Sequence, residues 1–347
     1  MLQESFNKTG LFHQKFRDLS FDWQGTPIAA AVARLFYELE MAGLSFRPSI
    51  DIGEEWYVLE GTTTIVVPFY LTDSKLTLLE RQMVGTAEGA GAQNMMRYLR
   101  HETGHAIEHA YELSKDPLRK EVFGDTRQPY PRAYQPKRYV RKFVHHLGDG
   151  YAQCHPDEDF AETFAVWLNP ESHWRKKYKS GAVFEKLSAM TQILKHGEEL
   201  HRFRKNQVTV SSSLSSSRMT LGDYYERKCK KLRLGVHSEL DEWLIRIFNV
   251  RNSRTLKPVP QTRRKLRGTS SVDFISKVEN EVKKEVSSQL GLSGYEVRNV
   301  LFRVKHRARQ LGLGLKSSHR QTKAEFLDFI VDQTLEDIRR GRNKILL

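Results

Sequence analysis

Residues 97–113 read RYLRHETGHAIEHAYEL. The centre, His101-Glu102-Thr103-Gly104-His105, fits the pattern H-E-x-x-H. On a helix, residues four apart lie about 40° apart in projection and about 6 Å apart along the axis. His101 and His105 can therefore reach one cation, and neutral imidazole is a good zinc ligand. Glu102 is badly placed to join them, but its carboxylate can stand beside a metal-bound water and take its proton. The helix is expected from about Ala92 to Leu113, with Met95, Leu99, Ala106, Ala110 and Leu113 on one side and the histidines at the margin. Two surface histidines on an amphipathic helix would give the same five letters.

A catalytic zinc takes three protein ligands and a water, so a third ligand is needed. His109 is about 12 Å along the axis from His101, too far to share its ion. The long metzincin pattern requires a histidine ten residues after the first, and that position is Tyr111. A carboxylate on a second helix remains, and HPDEDFAETFAVWL at 155–168 offers one. Pro156 suits a first helical turn. On a helical wheel Phe160, Phe164, Trp167 and Leu168 face a core, and Asp159 points the opposite way from the metal edge. Glu158 and Glu162 share that edge beside Ala161 and Ala165, which are small enough for another helix to come close. Glu158 can bind the metal while Glu162, one turn on, accepts a hydrogen bond from a ligand histidine. An acidic helix start explains Asp157 and Asp159 equally well, but leaves Glu162 without a particular role. The expected cofactor is one Zn2+ ion.

The chain has 347 residues, which points to two domains, and its 39% hydrophobic and 28% charged content is ordinary for a globular protein. Two cysteines, Cys154 and Cys229, exclude a disulfide framework and a four-cysteine zinc module, and fit a reducing compartment. No long apolar run opens the chain, and the longest, Ile65 to Leu71, is far too short to span a bilayer. A soluble cytoplasmic protein without a membrane partner is expected. The net charge of +14 is uneven: residues 1–217 hold 27 Lys+Arg against 27 Asp+Glu, and residues 218–347 hold 29 against 15. From charge alone, a nucleic-acid partner for residues 218–347 and a solvated basic surface fit equally well.

The charge change coincides with SSSLSSS at 211–217, read as a flexible linker. The expected organisation is a metal-binding domain at 1–210, the linker at 211–217, and a basic helical domain at 218–347. In the first domain Pro27–Gly43 reads as a helix, and Ser49–Leu59 and Thr62–Leu71 as strands, the second at a sheet edge because Pro68 cannot donate to a ladder. Residues 116–155 read mostly as loop with short helices. The fold class is α+β. In the second domain, a basic loop, KPVPQTRRKLRG, fills 257–268. Residues 281–313 fit a helix-turn-helix, with Val286, Leu290, Leu292, Val297 and Val300 at the packing positions and Gly291 at the turn. Its second helix carries Arg298, Arg303, Lys305, Arg307 and Arg309, side chains able to meet phosphates and guanine edges. An amphipathic helical hairpin with a solvated basic face fits as well.

The order of strand, H-E-x-x-H helix and Glu-bearing helix resembles the gluzincin metallopeptidases. More closely, RHETGH, VFGDTRQPY and YAQCHPDEDFAETFAVWL are similar to the bacterial "putative zinc-binding metallopeptidase" family, over roughly residues 20–200. The resemblance implies a gluzincin-like domain with His101, His105 and Glu158 as zinc ligands, Glu102 as general base, and Glu162 holding a ligand histidine. A tyrosine at the offset of Tyr151 is also similar to anthrax lethal factor, where it assists the oxyanion; an ordinary loop tyrosine fits the position too. Val166-Trp167 departs from the more polar pair expected there. Strand 62–71 has a gluzincin-like reading as a surface that adds an extended peptide. Two functions follow as expectations: a zinc peptidase acting on peptides or proteins, or a DNA-binding regulator with a structural or vestigial zinc site.

Overall fold

Thr26 opens the first long helix. Its hydroxyl caps the Ile28 N–H at 3.2 Å and Pro27 takes the first turn of α1, Pro27–Met41. In the computed structural model, residues 10–137, 140–148, 150–200, 210–232, 234, 238–250, 269–292, 294–340 and 345–346 are described. The basic stretch at 257–268 lies outside the described residues. The chain divides into a larger unit, Lys15–Arg81 with Thr86–Arg218 and Ile345–Leu347, and a smaller one, Met1–Gln14 with Gln82–Gly85 and Met219–Lys344. Both are α-rich, with small sheets.

In the larger unit three strands follow α1: β1 (Ser49–Gly53), β2 (Tyr57–Val58) and β3 (Thr64–Pro68). Their spatial order is β1-β3-β2, with β1 parallel and β2 antiparallel to β3. The edge position expected for 62–71 is therefore wrong: β3 is the central strand, and every residue in it is buried. Ser49–Leu59 breaks after Gly53 and returns on the far side of β3, so one expected strand supplies both neighbours. Pro68 is tolerated because it ends β3, opposite Gly53 and beyond the two residues that β2 pairs. β1 covers one edge of β3 along its length and β2 covers Ile65 and Val66 on the other, so β3 is not the open edge on which the peptide-addition reading rests.

The remaining elements of this unit are α2 (Ser74–Val84), which runs into the smaller unit, α3 (Ala92–Ala110), α4 (Pro117–Phe123), β4 (Ala133–Tyr134), α5 (Pro156–Leu168), α6 (Ala182–Leu200) and α7 (Ser211–Ser216). β4 pairs antiparallel with Ile345–Leu346. α1 is fastened to α3 by a buried two-pronged pair, Arg100 Nε and Nη2 to Glu38 at 2.7 Å each. The serine-rich stretch, expected as a flexible linker, takes helical structure. It folds as α7, buries Leu214, and donates the Ser211 N–H to Asp51 at 2.9 Å.

The smaller unit holds α8 (Leu221–Lys231), α9 (Ser238–Ile247), β5 (Phe248–Val250), α10 (Ser271–Gln289), α11 (Gly294–Gln310), β6 (Leu313–Leu315) and α12 (His319–Arg339). Thr220 and Asp223 form a reciprocal capping box at the start of α8. β5 and β6 pair antiparallel. Phe248, Phe274, Val282, Val300, Leu301 and Phe326 form the centre of its core. Gly291 turns the chain between α10 and α11 at φ 61°, a left-handed conformation that costs glycine little. Among the described residues no helix is long and apolar enough to cross a membrane.

Candidate metal centre

α3 and α5 meet at the motif's own glycine. A Cβ on Gly104 would lie 2.7 Å from the Cα of Ala161, so the two backbones touch where any side chain would stand. Phe160 and Phe164 anchor α5 from its apolar face, both fully buried, each contributing about 1.5–3 kcal/mol. The start of α5 is fixed by His155, whose Nδ1 accepts the Asp157 N–H at 3.2 Å. Asp157, Glu158 and Asp159 fill the first turn, where the helix dipole favours carboxylates. Below them the fully buried Arg119 of α4 joins the two helices. It contacts Glu108 of α3 at 2.5 Å and Asp157 of α5 at 2.8 Å, and donates to the Gly124 carbonyl at 2.8 Å.

This packing brings His101, His105 and Glu158 together, with one candidate ligand atom from each within 4.8 Å of the others. Glu158 Oε2 lies 3.1 Å from His101 Nε2 and 3.3 Å from His105 Nε2, and the two Nε2 atoms are 3.3 Å apart. Ligands about 2.0–2.2 Å from a tetrahedral zinc stand about 3.3–3.6 Å from one another, so the triangle is close to one face of such a site. The donor set fits chemically as well. His101 Nδ1 lies 3.2 Å from Glu162 Oε1, near enough for that carboxylate to keep the ring turned with Nε2 toward the triangle. Nε2 of His101 faces a carboxylate oxygen and a second imidazole nitrogen, three atoms that could all ligate one cation.

Glu162 is itself held: its carboxylate accepts the His146 N–H at 3.1 Å and the Leu147 N–H at 3.0 Å. His146 in turn sets its Nε2 2.9 Å from the Arg97 carbonyl of α3, and burial lowers its pKa to about 4, so it is neutral. Burial works against charge on both candidate ligand histidines, but Glu158 outweighs it, aided by Glu162 at His101. Both imidazoles are raised above their ordinary value, His101 strongly. Burial also opposes ionisation of Glu158, yet His105 and His101 hold its carboxyl well below the usual range. Glu102 is buried beside this cluster, and burial pushes its carboxyl up despite the two histidines.

The other predicted residues divide sharply. Tyr151 lies at the site with its ring 5.7 Å from that of His101; burial, and then Glu158, push its phenol up. His109, rejected as a ligand, turns away, its Nδ1 3.0 Å from the Thr62 carbonyl. Asp159 points away from the metal edge and bonds Lys186 of α6. Four of the five cations of α11 are partly buried. Arg307 grips Asp241 with two contacts of 2.6 Å, Lys305 meets Glu279 at 2.8 Å, and Arg303 pairs with Asp337. Arg309 is partly buried, which lowers its guanidinium pKa. Arg298 is exposed, its guanidinium 5.5 Å from the Tyr295 ring centre.

Three participants carry no signal in the spacing. Gly104 is one of the two free positions of H-E-x-x-H, and its role becomes visible only against Ala161. His155 reads as part of an acidic block, although it caps α5. Tyr130, whose hydroxyl donates to Glu158 Oε1 at 3.2 Å, lies 28 positions from its partner in a loop. Its presence in VFGDTRQPY was the only available hint.

No curated protein and no solved structure matches the chain. A family model does, over residues 29–228, which span α1 to α8 and include every residue of the metal centre. The chain belongs to the family described as "Putative zinc-binding metallo-peptidase".

Proposed function

We propose that the chain is a zinc-dependent peptidase of gluzincin-like build, with His101, His105 and Glu158 as the ligands of one ion. The observation that carries this reading is the triangle of potential ligand atoms, with edges of 3.1, 3.3 and 3.3 Å. A zinc ion bound there would bring the pKa of a water to about 7 and polarise a peptide carbonyl. Glu102 takes the proton from the attacking water and passes it to the leaving amine. Its raised proton affinity suits a base that must carry the proton between two partners. Glu162 keeps the His101 ring turned with Nε2 toward the triangle. Tyr151 donates its hydroxyl to the oxyanion that develops on the substrate carbonyl.

The test is metal analysis together with cleavage of a mixed peptide library by wild type and Glu102→Gln. Both proteins should carry zinc, and the variant should lose on the order of 10²–10⁴-fold in rate. Equal cleavage by the two removes Glu102 as the base. Zinc in the wild type without any cleavage removes the peptidase and leaves a structural metal site. The charge excess of residues 218–347 supports a nucleic-acid partner as a separate proposal. Salt-sensitive binding of DNA or RNA by the full chain is its test, and absence of such binding ends it.

A further inference from the structure

The two oxygens of Glu158 have different neighbours. Oε2 faces the imidazole pair, 3.1 Å from His101 Nε2 and 3.3 Å from His105 Nε2. Oε1 accepts the hydroxyl of Tyr130 at 3.2 Å. Tyr130 is not a core residue, since 49% of its surface is exposed. It is nevertheless held firmly, because its ring stacks on His155 with centres 3.8 Å apart and planes 16° from parallel. His155 is fixed at both nitrogens: Nδ1 accepts the Asp157 N–H at 3.2 Å, and Nε2 lies 2.7 Å from the Gln128 carbonyl. The residue that caps α5 is thus also the platform that aims a phenol at the carboxylate one turn along.

We infer that Tyr130 is a positioning residue for Glu158: its hydroxyl engages Oε1, so that Oε2 alone is turned to the imidazole pair. This rests on the reading of His101, His105 and Glu158 as a metal site. A carboxylate without that partner is free to rotate and offer both oxygens to a cation, filling a position that a catalytic site keeps for water or substrate. Stacking alone does not require a hydroxyl, and a phenylalanine would stack on His155 as well. The hydroxyl is therefore the part of the side chain with a task at the site.

The experiment uses the full chain with Zn2+ and Co2+ as probes, comparing wild type and Tyr130→Phe. The metal-free variant should melt at the wild-type temperature. Its zinc dissociation constant, read by competition with a chelator, should weaken on the order of 10-fold. Cobalt-loaded variant should absorb less strongly in the visible, as cobalt does when its coordination number rises above four. Wild-type zinc affinity with a wild-type cobalt spectrum overturns the assignment. So does a fall in metal-free stability large enough to account for the lost affinity, because Tyr130 would then be supporting the fold. Glu158→Gln and His101→Ala separate the two layers. If zinc binding survives both changes, the site reading fails and Tyr130 falls with it. If both abolish binding while Tyr130→Phe behaves as wild type, only the role of Tyr130 is wrong.

Discussion

Two helices of this protein carry ionisable side chains at helical spacing, and their neighbours treat them in opposite ways. On α11 each of three cations meets an acid: Arg303 with Asp337, Lys305 with Glu279, Arg307 with Asp241. On α3 the Nε2 atoms of two histidines meet each other and a carboxylate oxygen, three potential ligand atoms turned to one point. The first arrangement gives each cation its own acid, whereas the second gathers three ligand atoms around one point. Convergence of metal-ligating atoms in a buried cluster is thus better evidence of a binding site than density of charge.

The largest effect that would sharpen this contrast is on metal content. His101→Ala should reduce bound zinc from one equivalent to background on dialysis, a loss of affinity exceeding about 100-fold, whereas Arg307→Met should leave it unchanged. Retained zinc in His101→Ala would break the comparison. Next comes Arg119, a buried cation paired with two acids in the same unit as the metal centre. Arg119→Met strands Glu108 and Asp157 and should cost about 3–5 kcal/mol in urea unfolding. Arg307→Met should cost less, about 1–3 kcal/mol by the same measurement, because its pair keeps 13% and 19% side-chain exposure.

The smallest expected effect concerns pH. Burial raises Glu108 to about 7 from 4.5, outweighing Arg119, so the folded chain holds its proton more tightly than the unfolded chain does. Stability from this group is fully present below pH 4.5 and is lost as pH rises through about 7. Asp159, raised to about 6 by burial despite Lys186, adds a slope of the same sign. Glu108→Gln should flatten the fall in metal-free stability between pH 4.5 and 7, measured by denaturant midpoints across that range. An unchanged slope would show that Glu108 does not bind a proton there.

What could be read from the residues follows the reach of the signals. The pairing of His101 with His105, and of Glu158 with Glu162, lies within one helical turn, so spacing exposes it. The meeting of the two helices was legible because Ala161 and Ala165 mark a face that another helix can approach. The sheet was not legible in the same way. A single run, Ser49–Leu59, turns back between Gly53 and Tyr57 to flank β3 on both sides, and no local residue announces that Thr64–Pro68 will be surrounded. The serine stretch misled because composition alone argues for flexibility, while one leucine and the Asp51 carboxylate were enough to fold it as α7. The ion pairs of α11 were out of reach for a related reason: its acids come from α9, α10 and α12, 26 to 66 positions away.

The contact at Gly104 sets a limit on how the motif can vary. The obstacle to a larger residue is the main chain of Ala161, and no substitution elsewhere can trim a backbone. In a saturation library scored only for soluble, metal-free protein, position 104 should be restricted to glycine while position 105, which keeps part of its surface exposed, tolerates exchange. Of the five letters HETGH, the smallest, with no chemistry to perform, would then be the hardest to change.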